Sequence, residues 1–128
     1  MRNMSFAMTT HQVLARSKDV TRRMGWLFLS EGDQFQPVKK GMGLRPGEKI
    51  EKLGGPVTVV NYSRVMLRMM TEHPDYGRAE CIREGFPDLT PAEFVAMFCK
   101  THKGCTPDSI VTRIEFAYGV PPSKEGKL

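Results

Sequence analysis

A short basic segment carries the side chains with the most capacity for chemistry. Residues 15–23 hold four cations and two hydroxyls, namely Arg16, Lys18, Arg22 and Arg23 with Ser17 and Thr21. Such a cluster suits an anionic or polar ligand such as a nucleotide. Lys18 precedes Thr21 by three positions, and a lysine base beside a threonine nucleophile could support covalent catalysis. The alternative is a solvated basic loop, which is what most charge runs are.

The Lys18 and Thr21 pair can act together only under two conditions. On a strand, side chains three positions apart point to opposite faces, so the segment must turn or bend between them. The lysine must also lose its proton readily, which requires burial or neighbouring cations that lower its pKa. Asp19 would oppose this effect if it faced Lys18. The cations placed in sequence to lower the lysine pKa are Arg16, Arg22 and Arg23.

A glycine-rich loop is the second candidate for ligand contact. The segment from Gly41 to Gly47 holds three glycines and a proline, and it is flanked by Lys39 and Lys40. Glycine-rich loops with lysines can cradle phosphates, although no Walker pattern is present here. Lys39 and Lys40 are therefore candidate ligand-binding residues. A flexible hairpin is the alternative interpretation of this segment.

Three potential soft ligands lie within seven residues, as Cys99, His102 and Cys105. Structural zinc sites usually have four ligands in two close pairs, and only Cys81 could supply the fourth. We therefore expect no metal and no other cofactor, and we interpret the cysteines as packed thiols at a helix end. An odd cysteine number also fits reduced thiols rather than a disulfide framework.

The elements that would position these residues are short strands and helices in alternation. The patterns predict a short helix over His11–Arg16, extended chain over Val20–Trp26, and an edge strand over Gln34–Lys39 because it contains Pro37. Further strands are expected over Met4–Met8, Pro56–Tyr62 and Ser109–Tyr118.

Two helices are predicted in the second half of the chain. One covers Asp75–Arg83 and stops at Gly85, a typical C-terminal glycine. The other starts at Thr90, where Pro91 takes the first helical position and Glu93 completes a capping box. The whole order favours an α+β fold, a small barrel of about five to six strands flanked by about two to three helices.

The totals describe an ordinary globular chain of 128 residues with a net charge of +5. This length predicts one domain, residues 1–120, followed by a polar, proline-led tail, residues 121–128, that we expect to be disordered. The positive charge favours acidic partners, above all nucleic acid. No apolar run is long enough to span a membrane, and no signal core follows the N-terminus. We expect a cytoplasmic monomer that does not bind membranes.

Three parts of the sequence together resemble the ASCH domain family, a member of the PUA-like superfamily, over roughly Met4 to Tyr118. The first is Ser5-Phe6-Ala7-Met8-Thr9-Thr10-x-Gln12 leading into Lys18-x-x-Thr21-Arg22-Arg23, and the second is the Glu31-Gly32-Asp33 turn. The third is Glu84-Gly85-Phe86 before Thr90-Pro91-Ala92-Glu93-Phe94. It includes the final predicted strand, with Val111-Thr112-Arg113-Ile114-Glu115-Phe116. The resemblance implies a PUA-like β-barrel with a cleft for nucleobases or nucleic acid.

The resemblance also implies an activity. Some ASCH proteins similar to this one are amidohydrolases that release the acetyl group of N4-acetylcytidine, with a lysine, a threonine three residues on and a glutamate before the second helix. Those positions are Lys18, Thr21 and Glu84 here, with Arg23 or Arg22 as the basic residue after the threonine. Other members are ribonucleases on single-stranded RNA or RNA-binding modules.

Two features depart from the amidohydrolase type. The region from Gly41 to Gly55 resembles an insertion, and Asp19 follows Lys18 where a small or hydroxyl residue is expected. A different loop over the cleft changes what can fit there. Two other interpretations therefore remain open beside hydrolysis of an acylated nucleoside. They are a non-catalytic RNA-binding module that uses the same cleft, and a ribonuclease that uses Lys18 as base or phosphate clamp.

Overall fold

The computed structural model describes residues 1–119 and contains one β-sheet bordered by α-helices. The strands are β1 (Arg2–Ser5), β2 (Val20–Arg23), β3 (Gln34–Val38), β4 (Val57–Met66) and β5 (Ile110–Tyr118). The helices are α1 (Thr10–Leu14), α2 (Met69–Glu72), α3 (Pro74–Arg83) and α4 (Pro91–Thr101), and a 3-10 turn over Ala7–Thr9 precedes α1. The tail expected at residues 121–128 lies outside the described residues. Within residues 1–119, no helix has both the length and the apolar character needed to cross a membrane.

The five strands form a single sheet in the order β1-β3-β4-β5-β2. Only β1 and β3 run parallel, and every other neighbouring pair is antiparallel. The α+β class predicted from the sequence is confirmed. The described strands nevertheless form an open sheet and not the closed barrel that we expected, because the four-residue strands β1 and β2 occupy opposite edges. Residues 1–119 contain four α-helices, instead of the two to three that we expected.

The prediction that β3 is an edge strand was wrong. It lies between β1 and β4, and Pro37 pairs with Met4 of β1. The ladder between β3 and β4 covers only Gln34 and Phe35. Pro37 lies beyond this ladder, so its missing N–H removes no hydrogen bond to β4, and the proline is tolerated inside the sheet.

Both helix boundaries that matter for the site follow the sequence signals. At the start of α4, the Glu93 N–H donates to Thr90 Oγ1 at 3.1 Å and the Thr90 N–H donates to Glu93 Oε1 at 2.9 Å, which confirms the capping box. At the end of α3, Gly85 adopts a φ of +93°, the left-handed conformation expected of a C-terminal glycine. The single turn of α2 was not predicted.

Two hydrophobic clusters stabilise the fold. The sheet cluster comprises Met4, Phe6, Val13, Leu29, Phe35, Leu53, Val57, Val59, Ile114 and Phe116. The helix cluster comprises Leu67, Met70, Cys81, Phe94, Val95, Phe98 and Val111. The long antiparallel pair β4–β5 contributes to both clusters and so joins the sheet to the helices.

Close packing of α2 on α3 gives a first testable prediction. A Cβ added at Gly77, in α3, would overlap the backbone carbonyl oxygen of Met70. Gly77→Ala should therefore destabilise the protein by about 1–3 kcal/mol, although alanine is the better helix former. Gly55→Ala is the matched control, because nothing lies within 4 Å of its Cβ position. Urea unfolding tests this, and a Gly77→Ala variant as stable as the control would contradict the close approach.

Candidate functional site

A cavity of about 220 Å³ lies between the sheet cluster and the helix cluster. One wall is polar and is formed by Lys18, Thr21, Arg22, Arg23 and Glu84. The rest of the lining is mostly apolar and includes Phe6, Met8, Phe86, Phe94, Met97, Phe98 and His102. All three residues expected to be catalytic, Lys18, Thr21 and Glu84, therefore line one cavity, as do Arg22 and Arg23.

The end of α1 turns the chain so that Lys18 enters the interior. Arg16 adopts a φ of +59°, its N–H donates to the Val13 carbonyl at 3.0 Å, and the Ser17 N–H donates to the Gln12 carbonyl at 2.9 Å. These two bonds and the left-handed residue define a Schellman motif. Lys18 follows this motif and precedes β2, so of the two residues only Thr21 lies in a strand.

The end of α3 has the same geometry and presents Glu84. The Gly85 N–H donates to the Ile82 carbonyl at 3.1 Å, and the Phe86 N–H donates to the Cys81 carbonyl at 2.9 Å. Glu84 is the C-cap residue of this helix. A second Schellman motif therefore fixes the direction in which the Glu84 side chain leaves the helix.

The two helix ends contact each other directly. The Gln12 side-chain amide donates to the Gly85 carbonyl at 3.0 Å. A Cβ at Gly85 would lie 3.0 Å from Gln12 and 3.5 Å from the Lys18 Cβ. The Asp19 N–H also donates to the Arg83 carbonyl at 3.0 Å. The absence of a side chain at Gly85 thus allows the close approach that brings Lys18 to Glu84.

Lys18 is buried and is held by Glu84 through two hydrogen bonds. Its Nζ donates to the Glu84 carbonyl at 2.7 Å and to Glu84 Oε1 at 3.1 Å. Burial lowers the pKa of Lys18, the Glu84 carboxylate opposes this change, and the charges of Arg23 and Arg22 lower it further. The arginines at positions 22 and 23 therefore have the effect expected from the sequence. Asp19 does not counteract them, because its carboxylate pairs with Arg83 at 2.9 Å.

Arg22 links Glu84 to a second buried carboxylate. Its Nη1 donates to Glu84 Oε2 at 2.9 Å, and its Nη2 donates to Glu80 Oε1 at 2.7 Å. Arg113 of β5 donates to the same Glu80 through Nε at 2.6 Å and Nη2 at 3.0 Å. The carboxylates on successive turns of α3 are therefore satisfied from strands β2 and β5, and this network anchors the helix to the sheet.

Thr21 and Arg23 form a hydrogen-bonded pair in the polar wall. The Arg23 Nε donates to Thr21 Oγ1 at 3.0 Å, and the guanidinium lies 4.7 Å from the Phe6 ring centre. Burial lowers the pKa of Arg23 to about 10, with Glu84 opposing the change. Within residues 1–119, Arg23 forms no salt bridge. The cavity thus offers a cation beside a hydroxyl, an arrangement suited to a carbonyl oxygen or an anion.

Three predicted ligand-binding residues do not line the cavity. Arg16 donates to the Gly119 carbonyl at 3.3 Å and its guanidinium lies 5.5 Å from the Tyr118 ring. Lys40 pairs with Glu48 at 3.5 Å, and Lys39 is exposed. The prediction that Arg16 contacts a ligand in this cleft is therefore not supported by its position. The Lys39 carbonyl accepts a hydrogen bond from Ser5 Oγ at 3.2 Å, and Ser5 lines the cavity.

The aromatic wall of the cavity, formed by Phe94, Phe98 and His102, was not predicted. Cys99, His102 and Cys105 were weighed as metal ligands, and the cysteines were interpreted as packed thiols. Within residues 1–119 no group of three or more histidine, cysteine or acidic side chains is arranged to hold a metal ion. The sulfur atoms of Cys99 and Cys105 are 3.6 Å apart, while His102 faces the cavity. The helical spacing of Phe94, Phe98 and His102, at i, i+4 and i+8, is the signal that could have revealed the wall.

The two helix ends give a matched pair of substitutions as the second prediction. Gly85→Ala places a Cβ in the left-handed conformation and against Gln12, so it should destabilise the protein by at least about 1–2 kcal/mol. Arg16→Gly at the equivalent position removes that conformational penalty and adds unfolded-chain entropy, so its effect should stay within about 1 kcal/mol. Urea unfolding of both variants measures this. Equal effects of the two substitutions would contradict the assigned packing of the helix ends.

The buried Glu80 gives a pH dependence as the third prediction. Burial alone would raise the pKa of Glu80, but hydrogen bonds from Arg113 and the charge and hydrogen bond of Arg22 lower it from 4.5 to about 2. A carboxyl whose pKa is lower in the folded state stabilises the protein above the unfolded-state pKa, and this contribution disappears as the pH falls. The free energy of unfolding should therefore decrease by about 3 kcal/mol between pH 5 and pH 2 because of this group.

Glu80→Gln tests the assignment, because it removes the titration while keeping the shape of the side chain. It should make the free energy of unfolding less dependent on pH below 5, whereas Glu31→Gln, an exposed control, should leave the dependence unchanged. An identical pH dependence in wild type and Glu80→Gln would show that Glu80 has an ordinary pKa.

Comparison with known proteins provides no further identification of this site. No protein-family model matches the chain, and no curated protein and no solved structure is significantly similar to it. A functional assignment therefore depends on the contacts and charges around the cavity.

Proposed function

We propose that this protein is an ASCH-type hydrolase with a PUA-like fold that removes the acyl group from the exocyclic nitrogen of a pyrimidine nucleoside such as N4-acetylcytidine. The observation that carries the proposal is the convergence of Lys18, Thr21 and Glu84 in one cavity, although Glu84 is 66 residues from Lys18. The resemblance implied this set, and the contacts of the described residues are compatible with the chemistry that it requires.

The size of the cavity supports a small substrate. About 220 Å³ is below the roughly 300–1,000 Å³ of sites for larger ligands. A nucleobase with its acyl group fits this scale better than an oligonucleotide. The division into a polar and an aromatic wall also suits such a substrate, because an acylated base is a flat ring with a carbonyl group at one edge.

Thr21 is the proposed nucleophile and Lys18 the proposed base. The lowered pKa of Lys18 leaves more of its amine uncharged and able to accept the Thr21 hydroxyl proton. As the Thr21 Oγ1–carbon bond forms, the carbonyl oxygen becomes negative, and the Arg23 guanidinium beside Thr21 stabilises that charge. The carbon–nitrogen bond then breaks, and Lys18 returns the proton to the leaving nitrogen. Water hydrolyses the resulting ester, which releases the acid and restores Thr21.

Glu84 holds the base in this scheme. It binds Lys18 through its carbonyl and one carboxylate oxygen, and Arg22 occupies the other carboxylate oxygen. Because Arg22 draws on the same carboxylate, Glu84 stabilises the protonated lysine less than an unshared carboxylate would. Glu84 is thus proposed to orient Lys18 and to stabilise the positive charge that Lys18 gains when it accepts the proton.

Binding without catalysis is the second candidate function, and Arg23 is the observation that favours it. A partly buried arginine with no carboxylate partner in residues 1–119 could bind a phosphate oxygen as well as an oxyanion. In that case the cavity would hold one base of a single-stranded RNA, and exposed cations such as Lys39 would contact its backbone. This candidate differs from the hydrolase because affinity for RNA falls steeply with salt.

Substitution of the nucleophile and the base gives the fourth prediction. Thr21→Val keeps the shape of the side chain but removes the hydroxyl, and Lys18→Ala removes the amine. Each should lower the rate of cytidine release from N4-acetylcytidine by at least about 100-fold, while Lys49→Ala, an exposed control, should retain the wild-type rate. Chromatography of the products measures this, and circular dichroism establishes that each variant is folded.

The outcomes separate the two candidate functions. Cytidine release by a folded Thr21→Val variant at the wild-type rate would exclude Thr21 as nucleophile. No cytidine from the wild-type protein, combined with salt-dependent binding of single-stranded RNA, would replace the hydrolase with the binding module. Shortening of that RNA would identify a ribonuclease.

A further inference from the structure

The aromatic wall of the cavity ends in a stacked pair formed by Phe98 and His102. Their ring centres are 4.0 Å apart and their planes differ by 15°. Phe98 is buried in the helix cluster, where it also stacks on Phe94 at 6.2 Å. His102 is only partly buried and follows the last turn of α4. The imidazole ring of His102 therefore packs on the buried Phe98 ring and lines the cavity.

Hydrogen bonds determine which nitrogen of His102 carries the proton in the neutral ring. Its Nδ1 lies 2.9 Å from the Phe98 carbonyl oxygen, which can only accept a hydrogen bond. Nδ1 must therefore be the donor, and Nε2 is left as an acceptor. Nε2 forms no hydrogen bond with residues 1–119 and is not among their buried unpartnered atoms, so it is accessible to a ligand.

The polar wall supplies mainly hydrogen-bond donors, so an acceptor elsewhere in the cavity complements it. Its guanidinium groups, on Arg22 and Arg23, only donate hydrogen bonds, and each carboxylate oxygen of Glu84 already accepts one. A ligand with carbonyl oxygens can satisfy this wall, but its own N–H and O–H groups need acceptors elsewhere. His102 Nε2 is an acceptor on a different part of the lining, at the end of α4.

We propose that Phe98 and His102 form the stacking wall for the base and that His102 Nε2 accepts a hydrogen bond from an N–H or O–H group of the nucleoside. The ligand class is a planar heteroaromatic ring with acceptors on one edge and a donor on another. This inference rests on the proposed function for the identity of the ligand. It makes His102 a specificity-determining residue and not a catalytic one.

Two substitutions at one position separate stacking from hydrogen bonding. His102→Phe keeps an aromatic ring on Phe98 but removes the acceptor, whereas His102→Ala removes both. Since stacking of a base on an aromatic side chain corresponds to about 5- to 150-fold in affinity, His102→Ala should weaken the binding of cytidine by a factor in this range. His102→Phe should show a smaller loss. His73→Ala, an exposed histidine outside the cavity, is the matched control.

Calorimetric titration with cytidine, together with the hydrolysis assay, distinguishes the possible failures. Wild-type affinity in both His102 variants would overturn the stacking wall and leave the hydrolase proposal intact. Weakened cytidine binding in His102→Ala, without any hydrolysis by the wild-type protein, would support the wall while the hydrolase proposal fails. No cytidine binding by the wild-type protein would overturn the stacking wall, whereas the hydrolase proposal fails only if the wild-type protein releases no cytidine from N4-acetylcytidine.

Discussion

Compensation of buried charge is the constraint on which the rest of this structure depends. Lys18, Arg22, Glu80 and Glu84 are each no more than 4% exposed, so every charge requires a partner. Glu84 meets most of this need, because it binds Lys18 and Arg22 at once. Removing one partner of such a group leaves an uncompensated charge, which typically costs several kcal/mol. The network therefore holds α3 to β2 and at the same time forms the wall of the cavity.

The network does not neutralise the cavity completely. Glu80 and Glu84 face three close cations, Lys18, Arg22 and Arg113, and Arg23 adds a fourth without its own carboxylate. The polar wall is thus rich in hydrogen-bond donors, and the burial of Lys18 lowers its pKa. Acyl transfer and anion binding both use an excess of donors, while only acyl transfer also needs a deprotonated amine beside a hydroxyl. This difference is why we favour a hydrolase.

Local sequence signals predicted much of the fold and of the site. The glycine after α3, the capping box of α4 and the alternation of β5 depend on neighbouring residues, and all three are confirmed. The open sheet, the internal position of β3 and the left-handed Arg16 could not be predicted, because they follow from contacts between distant segments. Lys18 and Glu84 could be brought together from the sequence only through a family resemblance.

The contribution of α4 to the cavity also depends on contacts between distant segments. Phe94 and Phe98 have the spacing of a core face, and both are indeed buried in the helix cluster. The spacing extends to His102, but it does not indicate that this face lines a cavity whose polar wall comes from β2 and from the chain just after α1 and α3.

A crystal structure of the Thr21→Val variant with bound N4-acetylcytidine would test the central claim most directly, because this variant should bind the substrate without cleaving it. We expect the acyl carbonyl oxygen within hydrogen-bond distance of Arg23 and the base against His102. A nucleoside bound outside the cavity, for example on the exposed loop near Lys40, or a cavity without ligand at saturating concentration, would contradict the claim.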